Sequence, residues 1–86
     1  MSNHVGFRFY RTIEYDTPNE IVELNHWGSF ILAEVTAEGG DIIFYPNKQN
    51  PTQNGIPVKD GTTRQIPLRL YDFKASGNCT VVLYGA

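Results

Sequence analysis

One cysteine, two histidines and no long apolar run leave this 86-residue chain few means of covalent chemistry, metal binding or membrane crossing. Cys79 is alone, so no disulfide closes within the chain. His4 and His26 are the only histidines and give a structural metal little to hold. No apolar stretch approaches the roughly 20 residues of a membrane-spanning helix. Met1-Ser2-Asn3-His4-Val5-Gly6 has neither a basic nor an apolar leader region, so the expectation is no signal peptide and a protein made and kept in a reducing cytosol. Seven Lys and Arg stand against nine Asp and Glu, and the cations Arg8, Arg11, Lys48, Lys59, Arg64, Arg69 and Lys74 are scattered. A phosphate backbone would find little to bind, which argues against nucleic acid as a partner.

A 3.6-residue apolar period is missing as well, and what fills the chain instead is alternation. Residues 6–15 set Phe7, Phe9, Ile13 and Tyr15 on one parity and Arg8, Tyr10, Thr12 and Glu14 on the other, a half-buried strand. Arg11 interrupts the apolar parity, which suits a sheet edge or an interface. Asp16-Thr17-Pro18-Asn19 reads as a turn, residues 20–25 as a short strand, and residues 29–37 as a strand whose dense apolar start predicts burial on both faces. Glu38-Gly39-Gly40-Asp41 reads as a hairpin turn and Ile42-Ile43-Phe44-Tyr45 as its return strand. Residues 46–55 hold no apolar side chain outside Pro46 and Pro51 and read as an exposed loop. Ile56-Pro57-Val58 is an edge-type strand, because proline cannot donate to a ladder. Residues 63–73 read as one alternating strand that Pro67 marks as an edge or bulge. After the turn Ala75-Ser76-Gly77-Asn78, the strand Thr80-Val81-Val82-Leu83-Tyr84 closes the pattern. The expectation is an all-β fold. It is one domain over residues 1–86, a small antiparallel β-sandwich or jelly-roll-like unit of seven or eight short strands.

A domain of this size buries only roughly 60–65% of the surface its unfolded chain exposes. With no disulfide and no metal, oligomerisation is the remaining common support. The last strand sharpens that expectation. Val81 and Leu83 should face one layer, and Val82 and Tyr84 the other. One layer can be the domain's own core, and Val82 and Tyr84 are then candidates for a subunit interface.

Catalysis has little to stand on. Cys79 heads an apolar strand and reads as a small core residue, and Asn78-Cys79-Thr80, formally a glycosylation sequon, as a turn-to-strand junction. His26 beside Trp27 reads as a local hydrogen-bonding residue in a turn, and Glu34, Glu38 and Asp41 as solvated acids near one turn. No calcium loop, phosphate loop or cofactor motif is present. The expectation is a protein that is not an enzyme and uses no cofactor. A binding surface is easier to compose. Trp27, Tyr45 and Tyr10 with residues 46–55, whose amides include Asn47, Asn50 and Asn54, could stack on and hydrogen-bond a carbohydrate or a partner protein.

Gly55-Ile56-Pro57-Val58, then Gln65-Ile66-Pro67-Leu68-Arg69-Leu70, then Ala75-Ser76-Gly77-Asn78-Cys79-Thr80-Val81-Val82-Leu83-Tyr84 form an ordered series. This series is similar to the closing segment of small virion proteins of tailed bacteriophages and gene transfer agents, of the head-spike base and capsid vertex or decoration types. Asn78-Cys79 departs from the small, threonine-rich residues usual there, and residues 1–54 carry no such similarity. The resemblance implies a β-sandwich subunit in a virion assembled in the host cytoplasm. Its partners would be further copies of itself and other virion proteins (capsid, portal or fibre). The expectation of no membrane partner comes separately, from the lack of a long apolar run. A carbohydrate- or protein-binding module using Trp27 and residues 46–55 is the alternative.

Overall fold

The computed structural model describes residues 9–24, 30–47 and 55–85. Eight strands follow in chain order: β1 (Phe9–Tyr15), β2 (Val22–Glu23), β3 (Phe30–Ala37), β4 (Ile42–Pro46), β5 (Ile56–Val58), β6 (Thr63–Ile66), β7 (Asp72–Ala75) and β8 (Cys79–Gly85). They form two four-stranded antiparallel sheets. Sheet A has the order β1-β8-β3-β6 and sheet B the order β2-β7-β4-β5. No helix among the described residues is long and apolar enough to cross a membrane.

The two orders share one rule. β1 pairs with β8, β2 with β7, β3 with β6 and β4 with β5, each antiparallel. The chain is therefore one long ribbon folded back at the β4–β5 connection. Rolling that ribbon adds the pairs β3–β8 and β4–β7. This is the jelly roll, eight strands in two sheets.

Rolling the ribbon corrects two sequence expectations. Residues 38–41 are not a hairpin turn. They form an arch that carries the chain from β3 in sheet A to β4 in sheet B. Gly39 (φ 87°) and Gly40 (φ 152°) make the arch, in backbone conformations that side chains rarely adopt. Asp60 locks it, accepting the Gly39 N–H at 3.1 Å while its own N–H donates to Asp41 at 2.9 Å. Residues 63–73 are not one strand either. β6 ends at Ile66, and the chain crosses between the sheets before β7 begins at Asp72. The apolar parity at Ile66, Leu68 and Leu70 is real but serves the crossing: Leu70 is buried and its N–H donates to the Phe30 carbonyl at 2.9 Å.

The core lies between the sheets and follows the pleat. Sheet A contributes Ala33, Val35, Ala37, Ile66, Cys79, Val81 and Leu83, and sheet B contributes Ile42, Phe44, Val58, Phe73 and Ala75. Phe73 is packed between two rings, Phe44 with centroids 5.2 Å away and Tyr15 at 5.6 Å. Cys79 is buried, as its place in the apolar run predicts, and β8 starts at that residue. Burial out of water pushes its thiol up from 9.0 to about 11, with the nearby Glu38 carboxylate adding to the rise. Arg11 lies on β1, an edge of sheet A, and Pro57 on β5, an edge of sheet B. Arg64 on the remaining edge of sheet A donates to the Pro57 carbonyl at 3.0 Å and ties β6 to β5.

Candidate functional site

The outer face of sheet A can be laid out from its register. Tyr10, Tyr84 and Leu32 stand in one row across β1, β8 and β3. The next row is Thr12, Val82, Glu34 and Gln65, and the third is Glu14, Thr80, Thr36 and Thr63. The apolar groups gather in the first two rows. A register shift between Phe30 and Leu32 adds Ile31 beside them: both Ile31 and Leu32 are half-buried, while Phe30 and Ala33 on either side are buried. Val82 and Tyr84 thus share the half-buried outer face, and Val81 and Leu83 are fully buried on the inner one.

Tyr84 is held in place. Its hydroxyl donates to Glu34 Oε1 at 2.9 Å, and Gln65 Nε2 donates to the other carboxylate oxygen at 2.8 Å. The Tyr10 ring lies 6.2 Å from the Tyr84 ring, tilted by 33°. The hydrogen bond to Glu34 raises the Tyr84 phenol above its usual 10.0, since a phenolate would lose that donor and face a carboxylate. The lower row is polar: the Thr36 and Thr63 hydroxyls meet at 2.6 Å, and Thr80 donates to Glu38. The face is therefore divided, with aromatic and aliphatic groups at one end and hydroxyls and carboxylates at the other. Tyr10, 61% exposed, is the most exposed large hydrophobic side chain among the described residues.

The second candidate surface is less available. Of its members, Trp27, Asn50 and Asn54 lie outside the described residues, and Tyr10 is not beside Tyr45: Tyr10 stands on β1 of sheet A and Tyr45 on β4 of sheet B. Tyr45 is half-buried on the outer face of sheet B, with the Lys74 ammonium 5.4 Å above its ring. Gly55 lies against it so closely that a Cβ there would fall 2.7 Å from Tyr45 Cε1 and 2.1 Å from Ile43 Cγ2. Asn47 takes a left-handed backbone (φ 61°), and both ends of its amide are occupied. Its Nδ2 donates to the Arg69 carbonyl at 3.0 Å, and its Oδ1 accepts the Tyr71 N–H at 2.8 Å. This amide organises the crossing between β6 and β7.

The acids Glu34, Glu38 and Asp41 separate. Glu34 holds Tyr84 and Gln65, Glu38 accepts from Thr80, and Asp41 holds the arch. The residues that sequence reasoning left out of the outer face of sheet A are Leu32, Glu34 and Gln65. Parity alone placed Val82 and Tyr84 there, but the neighbours of a strand depend on sheet order. Compared with protein families, curated proteins and solved structures, the chain matches none.

Proposed function

We propose that the chain is a structural subunit of a tailed-bacteriophage virion, of the capsid-decoration, vertex or head-spike base kind, and that it acts by assembling in repeated copies. The observation that carries this reading is the outer face of sheet A. Antiparallel sheets commonly turn one polar face to water, yet here Leu32, Val82, Tyr84 and Tyr10 adjoin on that face. The pinned Tyr84 makes the surface suited to a partner, because a fixed aromatic loses little conformational freedom when it is covered. The similarity of residues 55–86 to the closing segment of small virion proteins supports the setting. Jelly rolls also recur among viral capsid domains, but fold alone does not assign function, so the weight rests on the face. No catalytic step enters this reading.

The test is the mass of the full chain in solution, alone and mixed with candidate capsid, portal or fibre proteins. The wild-type chain should form an oligomer or co-migrate with such a neighbour. Tyr84→Asp should keep the β-rich circular dichroism spectrum and lose that association. A chain that stays a monomer alone and with every such neighbour overturns the proposal.

A further inference from the structure

The two sheets have four edges among the described residues, and three are blunted. β2 has two residues. β5 has three and carries Pro57, which cannot donate to a ladder. β6 has four, ends next to Pro67 and is tied to β5 through Arg64. β1 differs from all of them. It has seven residues, with no proline, glycine or lysine. β8 runs along one side of it, and no strand among the described residues runs along the other. Natural edges are kept short or broken because a regular edge offers its backbone to another strand.

We infer that β1 pairs antiparallel with β1 of a second copy across a two-fold axis, joining two four-stranded sheets into one of eight. This rests on the assembly reading above and specifies its first contact. The second copy is the occupant because the strand is complementary to itself in one register. Opposed residues of an antiparallel pair point to the same face, so the register must keep parity. Centring the axis on Thr12 opposes Phe9 to Tyr15, Tyr10 to Glu14 and Arg11 to Ile13, using all seven residues with no like charges opposed. Sliding the axis to Arg11 opposes two guanidinium groups, and sliding it to Glu14 opposes two carboxylates. Centring it on Ile13 leaves two residues of each strand unpaired.

Arg11 is the charged residue on the core-side parity of β1, opposite Leu83 of β8. Edges use such residues against indiscriminate pairing. In the Thr12-centred register, Arg11 meets Ile13 and not its own copy, so it selects the register and leaves the edge usable. Joining the sheets also brings the two Tyr10–Tyr84 rows onto one continuous outer face.

Thr12 is exposed, and it would face its own copy at the axis. Opposed Cα atoms lie about 4.5–5.5 Å apart in an antiparallel pair, within the roughly 4.4–6.8 Å that a disulfide spans. Thr12→Cys in the full chain, under mild oxidation, should convert to a disulfide-linked dimer. Thr63→Cys, on the opposite edge of sheet A, should stay unlinked. Buried Cys79 does not compete. The wild-type chain should show twice the 9.7 kDa of one copy. Thr12→Lys and Thr12→Glu should each be folded monomers, and mixing them should restore the dimer. Linking of Thr12→Cys no better than that of Thr63→Cys overturns the inference. If Thr12→Cys fails to link in this way while the wild type still associates and Tyr84→Asp disperses it, the edge contact fails and the assembly reading stands. A monomer in every arm removes both.

Discussion

The hydroxyl of Tyr15, at the end of β1 in sheet A, accepts the N–H of Ala75 in sheet B at 3.3 Å and donates to the Glu20 carbonyl at 2.6 Å. One oxygen thereby links the edge strand, the β1–β2 connection and the middle of the opposite sheet. Tyr15→Phe keeps the ring against Phe73 and removes only that oxygen. The cost should be about 1–3 kcal/mol, the usual penalty for leaving buried backbone groups without a partner. Chemical denaturation should show a lower midpoint with an unchanged slope.

Cys79 gives the fold an alkaline limit. Its thiol is pushed from 9.0 to about 11 in the folded state, so folding favours the protonated form. Between those values the unfolded chain has released a proton that the folded chain keeps. Stability from this group is therefore full below pH 9 and is lost as pH rises towards 11, by about 2–3 kcal/mol for a displacement of this size. Tyr84, also raised, adds to the same trend. Cys79→Ala should flatten the decline between pH 9 and 11, and the difference from wild type isolates the thiol. At neutral pH the native thiol should resist maleimide until the protein unfolds. Rapid labelling of folded protein would contradict its burial.

Gly55 packs its backbone onto sheet B, where a Cβ would fall 2.1 Å from Ile43 Cγ2. That methyl sits on a β-branched side chain and has little freedom to move away. Gly55→Ala should cost about 1–3 kcal/mol by overpacking. Combining it with Ile43→Ala should recover part of the loss. A double-mutant cycle by thermal melting measures the coupling, and strictly additive costs would place Gly55 elsewhere.

Asn47 separates structure from recognition in the loop region. Its left-handed φ and its amide both serve the crossing at residues 69–71. Asn47→Gly keeps the backbone conformation and removes the amide, whereas Asn47→Ala loses both. Alanine should therefore be the less stable of the two, with glycine losing about 0.5–1.5 kcal/mol for the missing hydrogen bonds. Equal melting temperatures for wild type and both variants would show that the amide is dispensable to the fold.

Period-2 alternation made strand identity, the buried Cys79, the edge character of Arg11 and the two faces of β8 legible in the sequence, because alternation reports which side of a strand is wet. The edge at Pro57 was legible for a different reason, the N–H that proline lacks. Connectivity was not legible. Glu38-Gly39-Gly40-Asp41 has the composition of a hairpin turn, but glycines serve an arch between sheets equally well. The anchor that distinguishes the two is Asp60, far away in sequence. Residues 63–73 kept apolar parity through a crossing because Leu70 enters the core from outside any strand. The site was half legible for the same reason. Parity gave Val82 and Tyr84, while Leu32, Glu34 and Gln65 become their neighbours only through the order β1-β8-β3-β6.

Adjacent residues of β8 put the two-sided reading to its sharpest test. Val81 is fully buried in the core, and Val82 is half-buried on the outer face between Thr12 and Glu34. Threonine in place of valine keeps the β-branched shape and strand preference while exchanging a methyl for a hydroxyl. At Val81 that hydroxyl would be buried among apolar groups, and the cost should be about 1–3 kcal/mol. At Val82 the hydroxyl reaches water beside Thr12, and stability should stay within about 0.5 kcal/mol of wild type. Association should respond in the opposite order. Val82→Thr removes apolar surface from the proposed contact and should weaken assembly at unchanged folding stability, whereas Val81→Thr should assemble normally wherever it is folded. Urea denaturation paired with sedimentation reads both quantities. If Val82→Thr assembles as tightly as wild type, the contact lies off this face. If Val82→Thr is instead the costly variant and Val81→Thr the neutral one, the assigned register of β8 is wrong by one residue, since a slip of one exchanges the two faces of a strand.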